Sequence, residues 1–202
     1  IGDELIDRIF NVLESLIPRS DALILSDYAK GLFSSSLLPR VIELAQSVGT
    51  PIVVDPKSPD LKIYSGATLL TPNTLEAERA VGFTIHSDAD AEHAGNRILH
   101  DADVSAVLIT RGCHGMSLVA RDSPPLHLAS GALEVFDVVG AGDTVISTLA
   151  CSVAAGASLA DAAAIANVAA GLVVAKPDIA TVAPQELLDR LLSLASCRPR
   201  HE

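Results

Sequence analysis

Cysteine is scarce and poorly spaced for structural work. The three present, Cys113, Cys151 and Cys197, are odd in number, far apart and form no CxxC pair. That excludes a disulfide framework or a zinc ribbon and leaves inert thiols in a reducing compartment. The histidines, His86, His93, His100, His114, His127 and His201, also lack metal-site spacing, so nothing indicates a His/Cys metalloenzyme. No apolar run reaches the ~18 residues of a membrane span, because Gly, Asp or Asn interrupts each one first. The opening IGDELIDRIF carries acids where a secretory leader has bases. Positive charge is in deficit, 14 Lys plus Arg against 25 Asp plus Glu for a net −11. Such a field repels nucleic-acid phosphate and anionic lipid, so neither nucleic acid nor membrane is an expected partner and a cytoplasmic location is expected. There is no initiator Met, and a helical pattern begins almost at once. A piece of something longer is the expectation.

What is present suffices for a core. The 202 residues are 49% hydrophobic and 19% charged, the balance of a globular domain. Apolar spacing predicts a helix over 3–17, with Leu5, Ile9, Val12, Leu13 and Leu16 on its inner stripe and Pro18 as its stop. Short apolar runs at 22–26, 51–55, 67–71 and 106–110 read as strands buried on both faces. Helices are expected at 35–48, from about Asn73, and at 88–100, so strand and helix alternate as in a parallel sheet with helices on both faces. The segments on either side of 121–125 read as an antiparallel hairpin. The Ala-rich last third reads as helices at 142–155, 159–174 and 184–194, followed by a frayed tail over 196–202.

In an open parallel sheet, functional groups gather beyond the carboxyl ends of the strands. The residues following the expected strands are Asp27-Tyr28 with Lys30, Asp55-Pro56-Lys57, Asn73 with Glu76, and Arg111-Gly112. In EVFDVVGAGDTVI, Gly140 and Gly142 free the backbone to turn consecutive N–H groups outward at a helix start, which suits an oxyanion or a transferring phosphoryl group. Asp143 beside such a nest is either a helix cap or a base for an attacking hydroxyl. No Walker A lysine accompanies the turn, so it is not a P-loop. Asn73 and Glu76 have the spacing of a capping arrangement and equally of oxygens that organise a hydrated Mg²⁺. Lys57 is either a solvated loop lysine or a charge partner for phosphate.

Taken in order, LSDYAKG, VVDPK, TPNTLEAE, LITRGCHGMSL, EVFDVVGAGDT and ANVAAGLVVAK resemble the ribokinase-like (PfkB-type) sugar kinases. Within them they are most similar to the kinases of D-glycero-D-manno-heptose 7-phosphate, alone or as the first domain of bifunctional heptose kinase/adenylyltransferases. The resemblance runs over about 21–191. It implies an α/β, ribokinase-like three-layer sandwich with a mostly parallel sheet. It implies Asp143 as the base and the amides of Gly140, Ala141 and Gly142 as an anion hole. Asn73 and Glu76 would position Mg²⁺ and phosphates, Glu76 through water, with Lys57 near a phosphate. Thr110, Gly112 and Gly115 would shape the nucleotide loop, and Asn167 with Gly171 would lie near the adenine. The implied reaction is ATP-dependent phosphorylation of the anomeric hydroxyl to the 1,7-bisphosphate used for ADP-heptose and lipopolysaccharide core. Other sugar phosphates or nucleosides as acceptor, and a non-catalytic nucleotide-binding module, are the alternatives.

The sequence departs from the family pattern in places. Val138-Val139 stand where a Thr is usual, which removes a hydroxyl contact. Pro177-Asp178-Ile179-Ala180 follow VVAK where related enzymes continue with Gly and Thr, which argues against a monovalent-cation site. The resemblance makes 1–202 a single domain equal to the C-terminal two-thirds of a kinase domain, without the family's lid, first strands and much of the sugar site. An open apolar sheet edge follows from that, and with it association, so a homodimer is expected beside the small-molecule partners, sugar phosphate and ATP.

Overall fold

The apolar runs bounded by turn residues form the parallel strands β1 (Leu23–Ser26), β2 (Ile52–Asp55), β3 (Leu69–Leu70) and β4 (Ala106–Thr110). β5 (Met116–Ala120) returns antiparallel beside β4, and β6 (Leu126–Leu128) pairs antiparallel with β5 as the expected hairpin. The computed structural model describes residues 2–33, 35–132, 135–178 and 180–196. Among these the sheet has six strands in chain order, β1 to β6. Most of the tail expected to fray lies outside the described residues, as does Ile179 of the 177–180 departure.

Alternation along the strands sorts the core into two layers. Val54, Leu70, Val107 and Ile109 face α1 (Asp3–Leu16), α2 (Leu38–Val48), α3 (Thr74–Val81) and α4 (Asp88–Ala102). Val53, Leu69, Ala106 and Leu108 face α5 (Ala141–Ala154) and α6 (Leu159–Val174). Because both faces are covered, these strands read as continuous apolar runs rather than alternating ones. Ala162, Ala163 and Ala166 are fully buried, so the Ala-rich composition serves close approach of α6. α7 (Pro184–Ser196) lies against α6.

Three expected elements differ in detail. The stripe on α1 that reaches the core is Ile6, Ile9, Phe10 and Leu13, continued by Ile17, whereas Leu5, Val12 and Leu16 are exposed. Both stripes have helical spacing. The larger Phe10 decides between them, because Arg40 of α2 stacks 4.0 Å from its ring and pairs with Asp7 at 2.7 Å. α2 begins at Leu38 rather than 35, with Pro39 in its first turn, where a missing N–H costs nothing. β3 keeps only two residues of the expected five. Ala67 N–H is diverted to Tyr64 O (3.0 Å), and Pro72 has no N–H for the ladder. On its outer side β1 has no partner among the described residues. Ile24 of this edge strand is 40% exposed on the sheet face shared with Val53 and α5, which agrees with the apolar edge expected from the sequence.

Candidate active site

The carboxyl ends of β1 to β4 and the first turns of α3 and α5 meet at one rim. Asn73 caps α3: its Oδ1 accepts from Glu76 N (3.0 Å), and Glu76 Oε2 accepts from Asn73 N (2.9 Å). The capping arrangement is therefore real, and it aims the rest of the carboxylate. Glu76 Oε1 is left facing the rim, where it accepts from Lys57 Nζ at 2.6 Å, with Asp55 Oδ1 3.7 Å from the same ammonium. Capping and charge organisation are two uses of one side chain.

The charges on this rim are closely coupled. Burial pushes the Asp55 carboxyl above its usual range; Lys57 opposes the shift, while the charges of Glu76 and Asp143 add to it. For Lys57, burial alone would lower the ammonium, but the bond to Glu76 and the charges of Asp55 and Glu76 outweigh it. Lys57 thus stays charged at neutral pH, a cation held among carboxylates.

α5 starts without a side-chain cap. Gly140 precedes it at φ 81°, a left-handed conformation that glycine adopts without strain. Ala141 N–H is taken by Val138 O (3.2 Å), whereas the N–H groups of Gly140, Gly142 and Asp143 meet no backbone acceptor among the described residues. Of the proposed anion hole, Gly140 and Gly142 keep their donors free, and the Asp143 amide joins them. The Asp143 carboxylate lies exposed in the first turn and caps nothing. Asp137 instead accepts from Val139 N (2.9 Å), which fixes the bend before Gly140.

Two cavities adjoin here. One of about 250 Å³ brings together Tyr28, Asp55, Lys57, Asn73, Glu76 and Asp143, with Thr110, Gly140 and Gly142 on its wall. The other, of about 440 Å³, is lined by Thr110, Gly112, Gly115, Ala141, Gly142, Asn167 and Gly171 among apolar neighbours that include Val135, Val138 and Met116. Thr110, Gly142 and Val145 border both. Every residue to which the resemblance assigns a role thus lines one or both. The division is chemical: charged groups in the smaller space, apolar surface and backbone in the larger.

The glycines of the larger cavity mark close approaches. A Cβ on Gly115, which sits at φ 80°, would fall 1.9 Å from Leu128 O. A Cβ on Gly171 would fall 2.6 Å from Gly131 C, so the 129–132 segment rests directly on α6. Asn167 Nδ2 donates to Ala129 O (2.7 Å) and ties that segment down. Asn167 therefore shapes the cavity by holding its wall. Arg111, expected at the rim, turns away; it donates to Ser87 O and His114 O (both 3.2 Å) and to Asp88, pinning the Gly112–His114 turn to α4. Asp27 is buried below the rim, and Lys30 lines neither cavity. Val135, Val138 and Met116 lay within the quoted motifs, but nothing local marked them as cavity wall. Asp55 and Tyr28 stood among the rim groups but were not singled out, although DPK and SDY carried them.

Residues 4–186 match the model of the pfkB family of carbohydrate kinases. The chain belongs to this family. Similar relatives include two bifunctional proteins HldE. That of Caulobacter vibrioides is 52% identical over 173 residues, or 84% of this chain and 36% of the relative. That of Geobacter metallireducens is 46% identical over 188 residues, or 93% and 38%. This pfkB-family chain therefore spans well under half the length of these relatives. Its fold is ribokinase-like. An Arabidopsis thaliana ribokinase solved with ribose and ATP superimposes with TM-score 0.76 at 22% identity, covering 88% of this chain and 58% of that one. Phosphofructokinase-2 of Escherichia coli, solved with potassium, gives 0.75 at 18% identity, covering 92% and 62%. No described helix is long and apolar enough to cross a membrane.

Proposed function

We propose that this pfkB-family chain transfers the γ-phosphoryl group of ATP to the anomeric hydroxyl of D-glycero-D-manno-heptose 7-phosphate, giving the 1,7-bisphosphate for ADP-heptose and lipopolysaccharide core. The observation that carries the reading is the placement of Asp143: an exposed carboxylate beside free helix-start N–H groups, lining the same 250 Å³ cavity as Lys57. The larger cavity takes the nucleotide base against apolar and glycine surface, and the shared Thr110–Gly142 border is where its phosphates pass toward Asp143. The heptose acceptor rests on the resemblance carried by LSDYAKG, VVDPK and GMSL.

In this reading Asp143 takes the proton from the acceptor hydroxyl as its oxygen attacks phosphorus. A positioned base of this kind contributes roughly 10²–10⁴-fold. The amides of Gly142 and Asp143, with the dipole of α5, face the charge that builds on the transferring group. Lys57 offsets phosphate charge in the same cavity. The donor set fits Mg²⁺, since Asp55 and Glu76 present carboxylate oxygens to one polar cavity and a cation that keeps most of its waters needs few protein ligands. Bound there, Mg²⁺ would neutralise phosphate oxygens. Residues 1–202 form one ribokinase-like domain of that kinase, within a cytoplasmic homodimer, and the 177–180 departure argues against a monovalent-cation site.

The test is ADP formation by the full-length natural polypeptide carrying this sequence, with heptose 7-phosphate, fructose 6-phosphate, ribose and a nucleoside as competing acceptors. Preference for heptose 7-phosphate supports the reading. Turnover with another acceptor only would replace the substrate, and ATP binding without turnover would make the chain a nucleotide-binding module.

A further inference from the structure

Beneath the rim lies a buried polar pair that the mechanism above does not use. Tyr64 is fully buried at the end of the 3-10 turn Leu61–Tyr64, and its hydroxyl donates to Asp27 Oδ2. Asp27, at 7% exposure, accepts from Ala29 N with Oδ1 (2.7 Å), while its own N–H donates to Asp55 O (3.0 Å). The amides of Lys57 and Ser58 both point at Tyr64 Oη from 3.4 Å. Ala29 is held at φ 52°, a conformation unusual for a residue with a Cβ. One phenol thus joins the turn after β1 to the turn after β2. The side chains those turns present to the charged cavity are Tyr28 and Lys57.

We propose that Tyr64 is a positioning residue for phosphoryl transfer, anchored on Asp27 and acting through the 57–58 amides to set where Lys57 stands relative to Asp143. The inference rests on the kinase reading above. Replacing Tyr64 by Phe preserves the ring that fills the core and removes only the hydroxyl. Asp27 then keeps Ala29 N–H alone, the 57–58 amides lose their acceptor, and the turn carrying Lys57 is free to shift. Because a displacement of about 1 Å near the reacting atoms costs up to roughly 10²-fold, a loss of tenfold or more in kcat is expected.

A double-mutant cycle on the full-length natural polypeptide separates positioning from plain destabilisation. Tyr64→Phe should lower kcat about tenfold or more with the KM for ATP within about twofold, yet change kcat less than about twofold when Lys57 is already Ala. Asp27→Asn, which keeps an acceptor for Tyr64, should lie closer to wild type than Asp27→Ala. Equal losses from Tyr64→Phe in both backgrounds, or a loss that only tracks the fall in thermal midpoint, would overturn the inference. A wild-type protein that transfers no phosphoryl group overturns the kinase reading and this inference with it. A wild-type protein that does so, matched by Tyr64→Phe, overturns this inference alone.

Discussion

Gly171→Ala sets two effects of known size against each other. In the interior of α6, Ala is favoured over Gly by about 1 kcal/mol in helix propensity. The added methyl, however, would lie 2.6 Å from Gly131 C, 2.7 Å from Gly131 O and 2.9 Å from Ala132 N. All three are backbone atoms, so no side chain can rotate aside. Restoring carbon contacts of about 3.5–4.0 Å requires the segment to lift by roughly 1 Å. Overpacking of this kind costs about 1–3 kcal/mol. The net change in stability is therefore small, from near zero to about 2 kcal/mol of loss. Function should suffer more, because Ser130, Gly131 and Ala132 line the 440 Å³ cavity and lift with the segment. A weakening of ATP binding by about tenfold or more, at least ~1.4 kcal/mol, is expected. Chemical denaturation and titration calorimetry of the same variant read the two quantities separately. A variant stabilised by about 1 kcal/mol, as propensity alone predicts, with unchanged ATP affinity would refute the seating of 129–132 on α6 and the assignment of that cavity to the nucleotide.

Glu76→Gln keeps an oxygen for Asn73 N–H and removes the charge that faces Lys57 and the cavity. Because the pair is partly solvated, stability should fall by less than about 1 kcal/mol, while the Mg²⁺ concentration for half-maximal turnover rises about tenfold or more; an unchanged Mg²⁺ dependence would remove Glu76 from metal organisation. Tyr64 gives a pH prediction. Burial first, then the bond to Asp27, push its phenol above the usual value. The folded state therefore keeps a proton that the unfolded chain loses above about pH 10, so this contribution is complete below that pH and declines as pH rises past it. Denaturation midpoints of wild type and Tyr64→Phe should converge in that alkaline window; parallel curves would contradict the buried hydrogen bond.

What could be read from the sequence was set by how local the physics is. β2 and β4 were legible because strands covered on both faces show as Val- and Ile-rich runs closed by polar residues. The site was legible in outline because parallel strands deliver their following residues to one rim, which is where Lys57, Asn73, Glu76 and Asp143 meet. Local spacing could not separate a capping role from a functional one at Asn73 and Glu76, since one carboxylate does both, whereas at Asp143 only the structure shows that it caps nothing. Contacts between distant segments left no local trace. Tyr64 bonds a residue 37 positions away, and Gly131 is pressed on Gly171. The face of α1 was misjudged for the same reason, because Arg40 on another helix selects the Phe10 stripe.

The most direct measurement of the central claim is Asp143→Asn in the full-length natural polypeptide, assayed for turnover with ATP and heptose 7-phosphate and for ATP binding by calorimetry. The amide keeps the shape of the carboxylate and cannot accept the proton. The account predicts that kcat falls by roughly 10²–10⁴-fold or more while ATP affinity stays within about twofold. Turnover close to wild type would contradict the assignment of Asp143 as the base, and ATP binding lost in step with turnover would contradict the separation of the charged cavity from the nucleotide cavity.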